Sequence, residues 1–506
     1  MRNIVIITLI FLFAHAALAQ FPGAAPSQSQ PTRPTQLPLS GRTADTGSAA
    51  ATQTPIPGTT TSVNTLNSSI QVQGPYSGSA SSVAKRPFSG KLSLEEAIQR
   101  GLEYNLGPIG LAHAIRQARG QQKNAKSALL PNVNAAFREN YLTTDLQAIG
   151  IRVPFLPAVV GPFNYFDLRA TLTQTLGDMT ALNNYRSSRE ATQANEQLLK
   201  DARDTVVLAV GGVYLQVIAA QARLSSAQAQ IETARAVYTQ TSQRRQAGLS
   251  AQVEVNRALV QQQTQEQRLA TLRNDLSRQK INLARLTGLP PNDAFEIVTD
   301  VGYSPTPLMS VEDAVKQAIA NRADLKAAEL EVQAAQHART AARDERIPSL
   351  SISADYGVIG PRFNEGQRTY TVTGTIKVPV WDGGRISGDI EQAKADLDQR
   401  RAELEDTRGR IESDVRNAFL DLQAAANQVE IARNNQGVAN ETLRLTREKF
   451  EAGVSDNVEV IQAQEGVASA NLDYITALFA HNLAKLSLAR SLGNAEQHVQ
   501  EFLKLQ

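Results

Sequence analysis

The sequence contains QAGLSAQVEV at residues 246–255 and, 205 positions later, EAGVSDNVEV at residues 451–460. The correspondence extends upstream, because Ser93 and Pro131 have counterparts at Ser310 and Pro348 with the same spacing between them. This period is far longer than the roughly 20–50 residues of solenoid repeats. The chain is therefore a duplicated half, and the repeated phrase marks equivalent points in the two copies.

Composition divides the chain before any motif is considered. Residues 1–19 have a basic start, an apolar run and a small-residue cleavage site, which is typical of a signal peptide. Residues 20–90 are rich in Pro, Ser, Thr, Gln and Gly, and are predicted to be a disordered linker because they hold few large apolar side chains. The predicted repeats and tail follow at residues 91–300, 301–493 and 494–506.

The same composition excludes several classes of function. The formal net charge is +2, so nothing in the charge favours a nucleic-acid partner. Cysteine is absent, which removes disulfides, thiol catalysis, Cys-ligated metals and a lipid-modified N-terminal Cys. The five histidines show no ligand spacing, and no nucleophile motif or phosphate-binding loop is present. We therefore expect no enzyme activity, no cofactor and no metal.

Each half is predicted to repeat one order of elements: a helix interrupted once, two strands, a long helix and a shorter helix. Ser93 and Glu96 form a capping box at the start, the interruption is expected near Gly107-Pro108, and Pro131 ends the first helix. The long helices hold about 65–70 residues, about 100 Å at 1.5 Å per residue. The predicted strands are 132–143, 166–176, 349–358 and 369–380, and the later helices are 179–246, 253–287, 385–451 and 458–492.

The spacing of apolar residues predicts which face of each long helix and strand is buried or apolar. A 3.5-residue period predicts coiled-coil seams on both long helices, from Val206 to Tyr238 and from Ile411 to Val429. The strands alternate apolar with Thr, Ser and charged residues, as in an outer-membrane barrel. A water-exposed hairpin on a soluble domain is the alternative. Four strands cannot close a pore, since small barrels need about eight, so a barrel must be shared among subunits.

These features together resemble the TolC family of outer-membrane efflux proteins. The resemblance rests on the duplicated halves, the Ala-Gly-Leu/Val-Ser turns, the Leu-Ala-Arg-x-x-Gly endings at Gly288 and Gly493, and VPVWDGG at residues 378–384. It implies an α+β membrane protein: a homotrimer with a twelve-stranded outer-membrane β-barrel, four strands from each protomer, continuous with a long coiled-coil α-helical barrel in the periplasm.

The resemblance also implies a function. The chain would be the outer-membrane exit duct of a tripartite efflux or type I secretion system, extending into the periplasm and in contact with outer-membrane lipid. Its partners would be a periplasmic adaptor and an inner-membrane transporter, and it would be a passive channel gated at its periplasmic helical tip. The alternative is a secreted coiled-coil structural or adhesion protein without a channel, which explains the helices but not the amphipathic strands.

The repeated phrase supplies the first candidate site. A glycine that ends a helix in the left-handed conformation is sufficient to explain each turn, with Ser250 or Ser455 near the next helix start. The resemblance adds a contact between this tip and the adaptor. The predicted tip residues are Ala247, Gly248, Leu249, Ser250, Ala452, Gly453, Val454 and Ser455.

Two further sites are predicted. Glu254 and Glu459 begin the returning helices, where a carboxylate is favourable beside a helix N-terminus. Three copies of Glu459 would also form an acidic ring that binds cations, so Glu459, and less strongly Glu254, is a candidate periplasmic gate. The barrel–tunnel junction is predicted at Pro131, Pro348, Pro379 and Asp382, with Asp382 as the cap of the second long helix.

Overall fold

The structure is a computed structural model, and it describes residues 47–56, 65–80, 88, 90–148, 150, 157–291, 295–298, 304, 309–452, 454–455, 457–493, 495–497 and 499. All of them belong to one compact unit, Ala44–Gln506. The predicted signal peptide, 1–19, lies outside the described residues.

The described elements follow the predicted order in both halves. The first half contains α1 (Leu94–Tyr104), α2 (Leu106–Ser127), β4 (Asn132–Asp145), β5 (Val159–Gly177), α3 (Met179–Gln246) and α4 (Gln252–Thr287). The second contains α5 (Val311–Asn321), α6 (Ala323–Asp344), β7 (Ser349–Gly360), β8 (Gln367–Lys377), α7 (Arg385–Glu451) and α8 (Asn457–Ser491). Short strands β1 (Ala49–Ile56), β2 (Thr65–Val72), β3 (Lys91–Leu92) and β6 (Glu296–Ile297) complete the set.

The first helix of each half starts and breaks at equivalent positions. Ser93 Oγ accepts the N–H of Glu96 at 3.2 Å, and Ser310 Oγ accepts that of Asp313 at 3.1 Å. The break falls at Asn105, two residues before Gly107, near which it was predicted, and the Asn105 side chain accepts the N–H of Gly107 at 2.9 Å. Proline is tolerated in the first turn of a helix, so Pro108 lies inside α2.

The long strands form one antiparallel sheet in the order β4-β5-β7-β8. Its apolar face, with Leu168, Leu172 and Val372, is exposed. Its polar face is less exposed, and there Arg169 donates to Asp167, Asp355 and Thr369. Among the described residues, β4 and β8 each pair on one side only, so both borders of the sheet are open.

The helices pack side by side. Both α6 and α8 contact α3 on one side and α7 on the other, while α4 packs on α3 alone over most of its length. The predicted seams are confirmed, because the residues from Val206 to Ala234 and from Ile411 to Val429 that keep the 3.5-residue period are buried. One helix in the described part, α3, is long and apolar enough to cross a membrane, but 78% of that window is buried inside the protein, as in a core helix.

Two glycines allow the ends of α4 and α8 to pack closely against the breaks between α1 and α2 and between α5 and α6. Gly288 follows α4 with φ of 71°, and Gly493 follows α8 with φ of 78°, both in the left-handed region that favours glycine. A Cβ on Gly288 would lie 2.8 Å from Tyr104 Cβ, and one on Gly493 would lie 2.8 Å from Arg322 Cα. The final glycine of each Leu-Ala-Arg-x-x-Gly ending is thus required by its positive φ and by the close approach of Tyr104 or Arg322.

The prediction of a disordered linker over residues 20–90 was wrong for residues 49–56 and 65–80. Strands β1 and β2 pair with each other and contact α3 and α8. Ile70 is buried against Gly212, where a Cβ would lie 3.1 Å from its side chain, and Tyr76 is buried beside Gly107. The segment cannot bury enough apolar surface alone, but the helices supply the surface that it lacks.

Candidate functional site

The first turn of the repeated phrase is a Schellman motif. Helix α3 ends at Gln246, and Gly248 has a φ of 75°. The N–H of Gly248 donates to the carbonyl of Arg245 at 3.0 Å, and that of Leu249 donates to the carbonyl of Arg244 at 2.8 Å. These two bonds are the pair that defines the motif, so the sequence-based reading of Gly248 as the residue that ends the helix agrees with the structure.

The second turn is built in the same way as far as it is described. Helix α7 ends at Glu451, and the N–H of Val454 donates to the carbonyl of Lys449 at 3.0 Å, which is the bond that Leu249 makes in the first half. Gly453 lies outside the described residues. Leu249 and Val454, which occupy equivalent positions, are each 79% exposed, and Ala247 and Ala452 are exposed as well. Each turn therefore presents an aliphatic side chain at its end.

A small separate core holds the two turns together. It consists of Val237 from α3, Ala258 from α4, Phe450 from α7 and Val460 from α8. Arg244 crosses between the ends of the two long helices: its Nη2 donates to the carbonyl of Phe450 at 3.1 Å, and its guanidinium carbon lies 4.3 Å from the centre of the Phe450 ring. Neither residue was predicted as a site residue, because their contact joins positions 206 apart.

The two predicted gate carboxylates have different surroundings. Both lie in the first turn of their helices. Glu254 is half-buried and accepts the hydroxyl of Ser250. Ser250 is thus not a backbone cap, since Ala251 is the capping position of α4 and makes no side-chain bond. Glu459 is exposed and Ser455 is half-buried. Of the two carboxylates, Glu459 is the one that a solvated ion can approach more fully.

A groove of about 460 Å³ runs between the starts of α4 and α8. Its apolar residues are Val253, Val260, Val458 and Ile461, and its polar residues are Asn256, Arg257, Gln261 and Gln462. The sequence signal for it was available, because Val253 and Val260 are seven residues apart on the side of α4 that faces away from α3. The groove gives the tip a surface that suits an amphipathic helix.

The predicted junction residues lie where the sheet meets the helices. Pro131 and Pro348 directly precede β4 and β7, and Pro379 follows β8. Asp382 accepts the N–H of Gly384 at 3.0 Å and that of Ile386 at 2.8 Å, so it caps the first turn of α7 although Gly384 is the last non-helical residue. These two hydrogen bonds, of which the one from Ile386 has the larger effect, hold the pKa of Asp382 below its usual range. Asp178 accepts the N–H of Ala181 at the start of α3 in the same way.

Comparison with known proteins agrees with this architecture. The family model described as outer membrane efflux protein matches residues 110–289 and 314–494, one segment in each half. The chain therefore belongs to the outer membrane efflux protein family, and it is an outer-membrane protein with a role in efflux. That assignment excludes the secreted adhesion protein considered above.

Individual relatives share most of their length with this chain. OprJ of Pseudomonas aeruginosa is 26% identical over 390 residues, which cover 75% of this chain and 79% of OprJ. TolC of Escherichia coli is 23% identical over 390 residues, covering 74% and 76%. The CmeC outer membrane channel of Campylobacter jejuni has the same fold, with a TM-score of 0.71 at 17% identity over 81% of this chain and 89% of CmeC.

Proposed function

We propose that the chain is one third of a homotrimeric exit duct that passes substrates from an inner-membrane transporter across the periplasm and the outer membrane. The observation that carries the proposal is that the protomer is unfinished at both lateral borders. Its sheet ends in two open strands, β4 and β8, and its helical layer ends in α4 and α7 in the half nearer the tip. A second copy would cover one open strand and one terminal helix of the first.

The two border helices carry matching apolar stripes. On α4 the exposed residues Val253, Val260 and Ile281 keep a spacing of seven or its multiple. On α7 the exposed residues Ile431, Val438 and Leu445 are also seven apart, and Leu420 extends the stripe. At 100° per residue, both stripes lie opposite the buried face of their own helix. Exposed apolar heptads of this kind suit a coiled-coil neighbour.

The stripes also agree in height. Counted from the tip at 1.5 Å per residue, Val260 lies about 12 Å and Leu445 about 9 Å up their helices, while Ile281 and Leu420 lie at about 44 and 47 Å. Since α4 leads away from the tip and α7 leads towards it, one copy's α4 would pack antiparallel to the next copy's α7. Three copies joined in this way close a ring, and the same operation joins β8 of one copy to β4 of the next in a twelve-stranded barrel.

The tip then serves as gate and docking surface. Three copies of Glu459 at one level would form an acidic constriction that binds cations. The turn residues Leu249 and Val454 would contact the helical hairpins of a periplasmic adaptor. Opening requires the two hairpins of each protomer to separate, with energy supplied by the transporter. The duct itself is passive, and the same arrangement serves tripartite efflux and type I secretion.

Cysteine cross-linking tests the ring directly, since the chain has no native Cys. Val260→Cys combined with Leu445→Cys, treated with a short bis-maleimide in membranes, is expected to give a covalent species of three chains on a denaturing gel. Each single variant should give none. As a control, Arg273→Cys with Ile431→Cys joins similar heights, but Arg273 is exposed about 100° round the helix from the stripe. Absence of intermolecular products from the first pair would exclude this border.

A further inference from the structure

An ion pair joins α8 to α3 at the end of their contact that lies furthest from the tip. Arg490 Nη2 donates to Asp201 Oδ1 at 2.6 Å, and Arg490 Nε donates to Thr205 Oγ1 at 3.3 Å. Both charged side chains are largely covered. Helix α8 is the returning helix of the second half and α3 is the long helix of the first, so the ion pair fastens the two halves of one protomer together.

The duplication places the same two residue types at the equivalent positions of α4 and α7. The 205-residue shift that relates the repeated phrases takes Arg490 to Arg285 and Asp201 to Asp406. Both Arg285 and Asp406 are exposed. They belong to different borders, because α4 and α7 end the helical layer on opposite sides of the protomer. One protomer thus presents a guanidinium on one side and a carboxylate on the other.

The exposed face of α4 corresponds to the face of α8 that packs on α3. Leu486, one turn before Arg490, is buried, and its Cδ1 lies 2.9 Å from the position that a Cβ on Gly211 would take. Its counterpart Ile281, one turn before Arg285, is 47% exposed and belongs to the apolar stripe of α4. A face that is covered on one returning helix is therefore open on the other, as expected if a second copy covers it.

Asp406 lies on the border face of α7. It precedes Leu420 by two heptads, so it continues the apolar stripe of that helix. The charges of the two border helices are complementary, since α4 has more Arg and Lys than Asp and Glu, and α7 has the reverse. Arg416 occupies on α7 the position that Gly211 has on α3, so the apolar packing differs between the two kinds of border. The ion pair, in contrast, keeps both of its partners.

A second polar contact between α3 and α8 follows the same rule. Arg223 Nη2 donates to Thr476 Oγ1 at 3.3 Å. The counterparts of these residues are Gln428 on α7 and Thr271 on α4, which keep a donor and an acceptor. Thr271 is exposed and Gln428 is half-buried. Two polar contacts of the α3–α8 packing could thus recur between α7 and the α4 of a neighbouring copy.

We infer that Arg285 of one copy binds Asp406 of the next, so that three ion pairs between copies alternate round the ring with the three inside the protomers. The inference rests on the proposed trimer and adds to it the register in which the copies join. The counterpart of Thr205 is Arg410, which donates to Thr407 on its own helix at 3.4 Å. The ion pair between copies therefore has one acceptor on α7, and salt screens it because both partners start from exposed positions.

The observed ion pair also sets the level of the proposed one. Counted at 1.5 Å per residue from the tip, Asp201 lies about 18 Å further along its helix than Arg490, yet the two side chains are in contact. Asp406 and Arg285 differ by the same count, because a single shift relates both pairs. The displacement is thus a property of how a returning helix packs on a long helix in this fold.

Cysteine cross-linking tests the register in the full-length protein in membranes. Arg285→Cys with Asp406→Cys, treated with a short bis-maleimide, is expected to give a covalent species of three chains. Arg273→Cys with Asp406→Cys is the control and should give none, because Arg273 is exposed about 120° round α4 from Arg285. If the first pair gives no product while Val260→Cys with Leu445→Cys does, the register is wrong and the trimer stands. If neither gives a product, the proposed trimer is wrong.

Charge reversal tests the ion pair itself. Arg285→Glu and Asp406→Arg should each lower the temperature at which the trimer dissociates on a gel, and the two together should recover most of the loss. An exposed ion pair contributes about 1.5- to 5-fold to an equilibrium constant, and the trimer has three such borders. Arg273→Glu is the control and should not rescue Asp406→Arg. Equal recovery with either partner, or recovery with neither, would overturn the inference.

Discussion

Arg244 binds Phe450 twice, through the Phe450 carbonyl at 3.1 Å and through the face of its ring, 4.3 Å from the guanidinium carbon. The contact joins the last turn of one long helix to the last turn of the other. In the proposed duct these turns belong to the two hairpins that must separate when the tip opens. Arg244 would therefore act as a latch within each protomer.

Removing the latch should favour the open tip. A cation–π contact contributes about 0.5–2 kcal/mol, so Arg244→Ala should raise the open-to-closed ratio by about two- to thirty-fold in planar bilayers. Arg245→Ala is the matched control, because Arg245 is the next residue, carries the same charge and is exposed. Equal open probabilities in the two variants would show that Arg244 does not hold the tip closed.

The acidic gate makes a second prediction. Glu459→Gln keeps the shape of the side chain but removes three negative charges from the trimer, and it should weaken block of single-channel current by divalent cations. Glu254→Gln should change the block less, because Glu254 is half-buried and accepts the Ser250 hydroxyl. Unchanged cation affinity in Glu459→Gln would remove this residue from the gate.

Gly288 and Gly493 should be intolerant of any side chain. Gly493→Ala places a non-glycine residue in the left-handed region, which costs about 1–2 kcal/mol for the backbone alone. The added Cβ also meets Arg322, so the melting temperature, followed by helical circular dichroism, should fall. Gly288→Ala should lower the melting temperature as well, because its Cβ meets Tyr104. Gly466→Ala is the control: it lies within α8 with nothing near the new Cβ, and it should stabilise by about 0.5–1 kcal/mol.

The cap at Asp382 predicts a pH dependence. Since hydrogen bonds from Ile386 and Gly384 lower its folded-state pKa, the charged cap stabilises the protein above the unfolded pKa of about 3.9. That contribution is lost as the pH falls through the folded-state pKa. Asp382→Ala should therefore be less stable than the natural chain at neutral pH, and the difference in melting temperature should shrink in acid.

Asp382→Asn provides the comparison for that experiment. Its amide oxygen can accept one of the two N–H groups without carrying a charge, so its stability should not fall with the titration of residue 382. An acid profile identical to that of the natural chain would show that the acid transition arises at other carboxylates.

Much of this architecture could be predicted because it is local. Helix bounds such as Met179–Gln246, the Ser93 cap and the buried seam from Val206 depend on residues a few positions apart, which a single sequence displays. The Arg244–Phe450 contact could not be predicted, since it depends on how two separate hairpins pack. The β1–β2 hairpin was missed for a related reason: Ile70 and Tyr76 are too few to form a core, and their partners lie more than 25 residues away.

The hairpin formed by β1 and β2 also distinguishes the two halves. It docks where α3 has Gly211 and Gly212, whose missing side chains make room for Leu486 and Ile70. At the equivalent positions α7 has Arg416 and Asn417, both exposed. Their side chains occupy the space that a second hairpin would need. In the proposed trimer, six nearly equivalent long helices would therefore carry only three hairpins. A partner that binds at this height would meet a surface of threefold symmetry, in which positions with and without a hairpin alternate. A partner that binds at the repeated turns would meet a surface of nearly sixfold symmetry.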